Sequence, residues 1–148
     1  MFGMTRHRVR KLIDSDKVRQ AIEAAEQRTS GEIRVSVAPW FWGSVDRAAQ
    51  RAFVRLGMEK TAEHNGVLFF LVPSRQSFVV RGDDGIHARV GQAFWDELVA
   101  VMSAHFRRGE FTQGLVFGIY ATGEKLALHF PYDAKRDVNE LPDDVDLS

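Results

Sequence analysis

Glu32-Ile33-Arg34-Val35-Ser36-Val37-Ala38 alternates polar and apolar residues, and Val67-Leu68-Phe69-Phe70-Leu71-Val72 is apolar without a break. The first stretch reads as a strand with Ile33, Val35 and Val37 turned to a core. The second reads as a central strand buried on both faces. Between them, Ser44 can cap a helix that runs to Leu56 and stops at Gly57. A strand–helix–strand unit makes its two strands parallel, through a right-handed crossover. Pro73-Ser74-Arg75-Gln76 then turns the chain into Ser77–Arg81, antiparallel to Val67–Val72.

The flanks supply helices. Asp14 or Asp16 can cap one that reaches about Arg28, with Ile13, Val18, Ile22 and Ala25 at helical spacing. Downstream of Gly82-Asp83-Asp84-Gly85 a short helical turn is expected. A long helix then covers Gln92–Arg108, with Phe94, Leu98, Met102 and Phe106 on one face and Gly109 as its stop. The last helix runs from Thr112 to about Phe130, with Leu115, Ile119, Leu126 and Phe130 as its stripe. Gly114 and Gly118 interrupt it at a cost of roughly 1 kcal/mol each relative to Ala, so close packing against a neighbour is the expected reason for them. The pattern is that of one α/β domain over residues 15–131, between a basic segment (1–14) and an acidic tail (132–148).

Composition narrows the function classes. Twenty Lys+Arg balance 20 Asp+Glu, unlike the basic excess of a dedicated nucleic-acid binder. The absence of cysteine removes disulfides, thiol chemistry and Cys-ligated metals. No apolar run is long enough to span a bilayer, and no secretory h-region follows the basic head, so a cytoplasmic location is expected. Residues 1–19 carry a net +4 and residues 132–148 a net −4, so the two ends can attract each other within a molecule or between copies. No Gly-x-Ser-x-Gly elbow, dinucleotide fingerprint or P-loop is present.

The strand directions gather polar residues. The end of the third strand lies at the same sheet edge as the starts of the first two, so Thr29, Ser30, Glu32, Asn65, Asp83 and Asp84 are expected together there. Asp83, Asp84 and Glu32, with Asn65, offer the hard oxygen donors that calcium or magnesium prefers. Gly-Asp-Asp-Gly also suits a plain turn. His87, four residues after Asp83, could handle a proton if the stretch is helical. At the opposite edge, Trp40, Phe41 and Trp42 cannot all enter one core. They read either as a lid on the sheet or as a contact for a protein partner, for a second copy or, with the basic head, for a membrane surface, which so small a patch would not hold stably.

Ile22-Glu23-Ala24-Ala25-Glu26, Thr29-Ser30-Gly31-Glu32-Ile33-Arg34-Val35, Asn65-Gly66-Val67-Leu68-Phe69-Phe70, Gly82-Asp83-Asp84-Gly85-Ile86 and Phe111-Thr112-Gln113-Gly114-Leu115 occur in an order and spacing that resembles the TPM domain family. Phe130-Pro131-Tyr132 and Asn139-Glu140-Leu141-Pro142-Asp143 are similar to a short, non-secreted bacterial branch of it. The family takes its name from a thylakoid-lumen phosphatase, a photosystem II repair protein and a modulator of acetylcholine receptors. The resemblance covers about residues 15–145. It implies a three-layer α/β/α sandwich around a small mixed sheet, with calcium binding or weak acid-phosphatase activity. In the family, the segment after the third strand reads roughly Gly-Tyr-Gly-Leu-Glu, with an Asp a few residues later. Here His87 takes the Glu position and Gly91 falls near the Asp position.

Two functions follow. The first is a non-enzymatic or weakly active protein-interaction module that works through Trp40, Phe41 and Trp42. The alternative is a divalent-cation-dependent, phosphatase-like hydrolase at the Asp83/Asp84 edge. There Glu32, Asn65, Asp83 and Asp84 would hold the metal and His87 would move a proton. The two missing family acids favour the first.

Overall fold

Asp14 caps the first helix, its carboxylate accepting from the Lys17 N–H at 3.2 Å, and α1 (Ser15–Glu26) buries Val18, Ala21, Ile22 and Ala25. The computed structural model describes residues 12–132 and 143–147, so residues 1–11 of the basic segment lie outside the described residues, as does most of the acidic tail. The chain continues as β1 (Glu32–Val37), α2 (Val45–Arg55), β2 (Gly66–Val72), β3 (Ser77–Gly82), α3 (Asp84–Val90), α4 (Gln92–Arg107), α5 (Phe111–His129) and β4 (Asp146–Leu147). Ser44 caps α2 through the Arg47 N–H, and Gly57, at a φ of 75°, provides the left-handed residue that lets the chain leave it.

The strands form one mixed sheet in the order β3-β2-β1-β4. β1 and β2 are parallel, with Glu32 opposite Gly66 and Val37 opposite Leu71, as the crossover rule predicts. β3 returns antiparallel, Val72 facing Ser77, through a 3-10 turn over Pro73–Arg75. Ile33, Val35, Val37, Val67, Phe69 and Leu71 point to a larger core shared with α1, α4 and α5. Leu68, Phe70 and Val72 point the other way, to a smaller core closed by Ala49, Ala52 and Phe53 of α2 and by Met58. The result is the expected α/β/α sandwich. Strand alternation leaves Arg34 and Ser36 of β1 on the same side as α2. Both are buried.

Gly114 and Gly118 serve close packing. A Cβ on Gly114 would stand 2.5 Å from Phe106 Cε1, and one on Gly118 would stand 2.6 Å from Met102 Sδ. Both neighbours belong to α4, so the glycines set how deeply α5 sinks onto α4 and the sheet.

Two elements differ from the sequence reading. The expected helical turn after Gly82 is a seven-residue helix, α3, capped by Asp83. The end of the acidic tail, for which no strand is expected from the sequence, forms β4 beside β1, with Ser36 opposite Asp146 and Val37 opposite Leu147. Its charge does not stop it from pairing, because Arg55 and Ser36 meet Asp146 there at 2.8 Å each.

Candidate functional site

Three groups of chemistry-bearing residues lie around the sheet. The first occupies the predicted edge, at the starts of β1 and β2 and the end of β3. Asn65 Nδ2 donates to Ser30 Oγ at 3.3 Å and to Glu63 Oε2 at 3.1 Å, and Ser30 Oγ donates to the same Glu63 oxygen at 2.7 Å. The Asp83 N–H donates to the Gly66 carbonyl, so Asp83 sits one strand further along. Its Oδ1 accepts from the Asp84 N–H at 2.8 Å as the cap of α3, and its buried Oδ2 lies 3.4 Å from His64 Nδ1. His64 itself is held at a φ of 51°. Gly85 lets α3 come this close, since a Cβ there would be 2.6 Å from the carbonyl oxygens of both Glu63 and His64.

The expected donor set of Glu32, Asn65, Asp83 and Asp84 does not close as one group. Ser30, Asn65 and Asp83 do share the edge, with Glu63 and His64 added. Asp84 is exposed, and Asp83 spends one oxygen on the helix cap. His87 is exposed on α3, one turn from Asp83, with its ring 6.2 Å from that of Trp95. Glu32, only 3% exposed, turns away to a second group.

That second group is Glu26, Glu32 and Asp143. Glu26 Oε2 accepts from the Ile33 N–H at 2.8 Å, standing where the next strand's carbonyl would be. Burial, then the Asp143 carboxyl, then the charge of Glu32 push the Glu26 carboxyl from its ordinary 4.5 up to about 11. A proton is therefore retained in the group at neutral pH. No three His, Asp or Glu side chains among the described residues, this group included, stand ready-made as a metal cage.

The third group is at the opposite edge, where β1 runs into the aromatic loop. Trp40 and Trp42 meet edge to face with ring centroids 4.4 Å apart, and Trp42 is 87% exposed. Arg75 pins the loop by donating to the carbonyls of Phe41 and Gly43, at 3.2 and 2.8 Å, with its guanidinium over the Phe41 ring. Phe41 folds back on the smaller core, whereas Trp42 stands exposed. An open hollow of about 360 Å³ lies between the loop and α2, lined by Ala38, Pro39, Trp42, Arg51 and Arg55 among others. Arg51 and Arg55, four apart on α2, went unread in the sequence, although that spacing places them on one face. Glu26 was missed because nothing local marks a carboxylate as buried, and exposed Glu63 because its partners Ser30 and Asn65 meet it only in the folded chain.

No helix among the described residues is long and apolar enough to cross a membrane. Comparison with known proteins bears on the fold first. The NMR structure of the BA42 protein from the psychrophilic bacterium Bizionia argentinensis is similar at 36% identity, with a TM-score of 0.85, over 90% of this chain and 92% of that one. An N-terminal domain from a P. gingivalis protein shares the fold at 18% identity and a TM-score of 0.63, over 77% of this chain and 75% of that one. An N-terminal domain from Corynebacterium glutamicum does so at 16% identity and a TM-score of 0.56, over 75% of this chain and 70% of that one. No curated protein matches the chain significantly. The family profile of the TPM domain matches residues 11–125, and with that match and the BA42 likeness the chain belongs to the TPM domain family.

Proposed function

We propose that this chain is a binding module whose recognition face is the aromatic loop and the hollow beside it. One observation carries the reading: Trp42 is 87% exposed at the rim of a hollow that also presents Arg51 and Arg55. Tryptophan and arginine are the residues most over-represented where protein interfaces concentrate their energy, and a pinned loop loses little entropy on binding. Selection of a random peptide library on the full chain checks this. Enriched peptides should bind Trp42→Ala at least ten-fold more weakly and bind Asp83→Asn/Asp84→Asn as well as wild type. Peptides indifferent to Trp42 would sink the reading.

A second reading keeps the divalent cation of the phosphatase-like alternative but moves it to Glu26, Glu32 and Asp143, which are not arranged as a cage and would have to be drawn together by the ion. The retained proton of Glu26 supports it, because carboxyls crowded enough to hold a proton can exchange it for calcium or magnesium. A cation at 100 times its dissociation constant should add about 2.7 kcal/mol of stability. The thermal shift should vanish in Glu26→Gln and survive in Asp83→Asn/Asp84→Asn. No shift with either cation, or the reverse pattern, rejects it.

A further inference from the structure

Among the described residues, β4 covers the outer edge of β1 only in part. Pairing involves two residues, Asp146 and Leu147, opposite Ser36 and Val37. Upstream, the edge is tended by side chains: Glu26 takes the Ile33 N–H, and Arg34 reaches the Asp144 carbonyl at 3.3 Å. Ser36, fully buried, donates to Asp146 Oδ2 at 2.8 Å, and Arg55 donates to the same oxygen at 2.8 Å. Burial alone would raise the Asp146 carboxyl, but Arg55 and Ser36 outweigh it and hold the group below its ordinary range. Val145 and Leu147 pack against the larger core. The edge thus reads a pattern: a carboxylate toward α2, flanked by aliphatic side chains toward the sheet's other face.

The track does not stop at Leu147. Ala38 and Pro39 follow Val37 directly in β1's line and wall the hollow, and Arg55 belongs to both the Asp146 contact and the hollow. A strand longer than the resident one would run on past Arg55 to Trp42.

We propose that the outer edge of β1, with Ser36 and Arg55 as its carboxylate holder, is an acceptor groove for an extended acidic peptide of a partner protein, for which residues 143–147 are the resident stand-in. Strand addition supplies affinity through backbone bonds and specificity through alternate side chains. Charge complementarity fixes the chemistry at the Asp146 position, where Arg55 and Arg34 face the carboxylate; further upstream, Asp143 meets the carboxyl of Glu26, beside that of Glu32, so the acid that the groove selects is the one at 146, flanked by aliphatics. A two-residue strand is short enough to exchange. The part of the track beyond Arg55 rests on the aromatic-loop reading. The part at Ser36 and Arg55 does not.

The test uses full-length chains and a fluorescein-labelled peptide, Asp-Asp-Val-Asp-Leu-Ser, copied from residues 143–148, with a longer version ending in two added Phe. Asp146→Lys/Leu147→Asp weakens the resident strand, so this variant should bind the short peptide at least ten-fold more tightly than wild type does. Adding Arg55→Ala should abolish that gain. Equal binding to variant and wild type, or indifference to Arg55→Ala, overturns the groove. The longer peptide should bind tighter still, and Trp42→Ala should remove only the increment. If the increment is missing while the short peptide behaves as stated, the groove stands at Arg55 and its extension to the aromatic loop falls. A wild-type dimer dissolved by Arg55→Ala would give the groove to a second copy and overturn the partner assignment. Circular dichroism checks folding, and Asp146→Asn, a milder change, should give the same ordering if the double variant is unfolded.

Discussion

Gly118→Val is expected to destabilise the fold by about 3 kcal/mol, a fall in Tm on the order of 10 °C for a domain of this size. Helix propensity alone predicts the opposite sign, since glycine in a helix interior costs roughly 1 kcal/mol relative to alanine. Packing wins because there is no room. The first added carbon would lie 2.6 Å from Met102 Sδ, 2.7 Å from Met102 Cε and 3.1 Å from Phe69 Cε1. Met102 has a flexible end that can retreat, but Phe69 is held in the middle of the sheet at 1% exposure. Valine's two further methyls then leave α5 no choice but to lift. Urea midpoints of Gly118→Val with and without Met102→Ala measure this. The second change should restore part of the loss, a coupling expected only for residues in contact. An unchanged or raised midpoint in the single variant would show that α5 is not seated on α4 as described.

Glu26→Gln should stabilise the protein at pH 8, by about 2 kcal/mol, and change little near pH 4.5. The folded state holds a proton on Glu26 up to about 11, whereas the unfolded chain releases it near 4.5. Between those values the native state binds more protons, so stability falls as pH rises, with a slope of at most about 1.4 kcal/mol per pH unit from this group. The contribution is complete below the unfolded value and is spent by the folded one. Glutamine removes the titration. It keeps an oxygen for the Ile33 N–H and offers N–H donors to Asp143 and Glu32. Thermal midpoints of both proteins from pH 5 to 9, in chelator, should diverge steadily as pH rises. Parallel curves would mean that Glu26 is ionised in the native state, and the second reading of function would lose its support.

What could be read in advance was whatever local pattern and chain direction determine. The alternation in Glu32–Ala38 and the unbroken Val67–Val72 run decided the parallel pair, and the crossover rule carried Ser30, Asn65 and Asp83 to one edge although Asp83 is far along the chain from Ser30. Gly114 and Gly118 announced a close approach before the partner helix was known. Side-chain direction was not legible. Glu32 starts a strand beside the Asn65 edge, yet its carboxyl meets that of Glu26, which also bonds Asp143, and no local pattern marks those partners. β4 escaped for a related reason. Its hold depends on Ser36 and Arg55, which are 110 and 91 positions away from Asp146, and no local signal in an acidic tail reports partners at that distance.

The arrangement of the three tryptophans has an optical consequence. Trp95 is 6% exposed in the larger core and Trp42 is 87% exposed in the loop, so their fluorescence separates into a blue and a red component within one spectrum. Trp40 and Trp42, edge-on at 4.4 Å, are close enough for their electronic transitions to couple, which writes a signed pair of bands into the far-ultraviolet circular dichroism. Anything that settles on the loop dims or shifts the red emission and disturbs the coupled pair, while the blue emission stays as a reference for the intact core. The molecule thus carries, unlabelled, an indicator of occupancy and an indicator of folding that can be read apart.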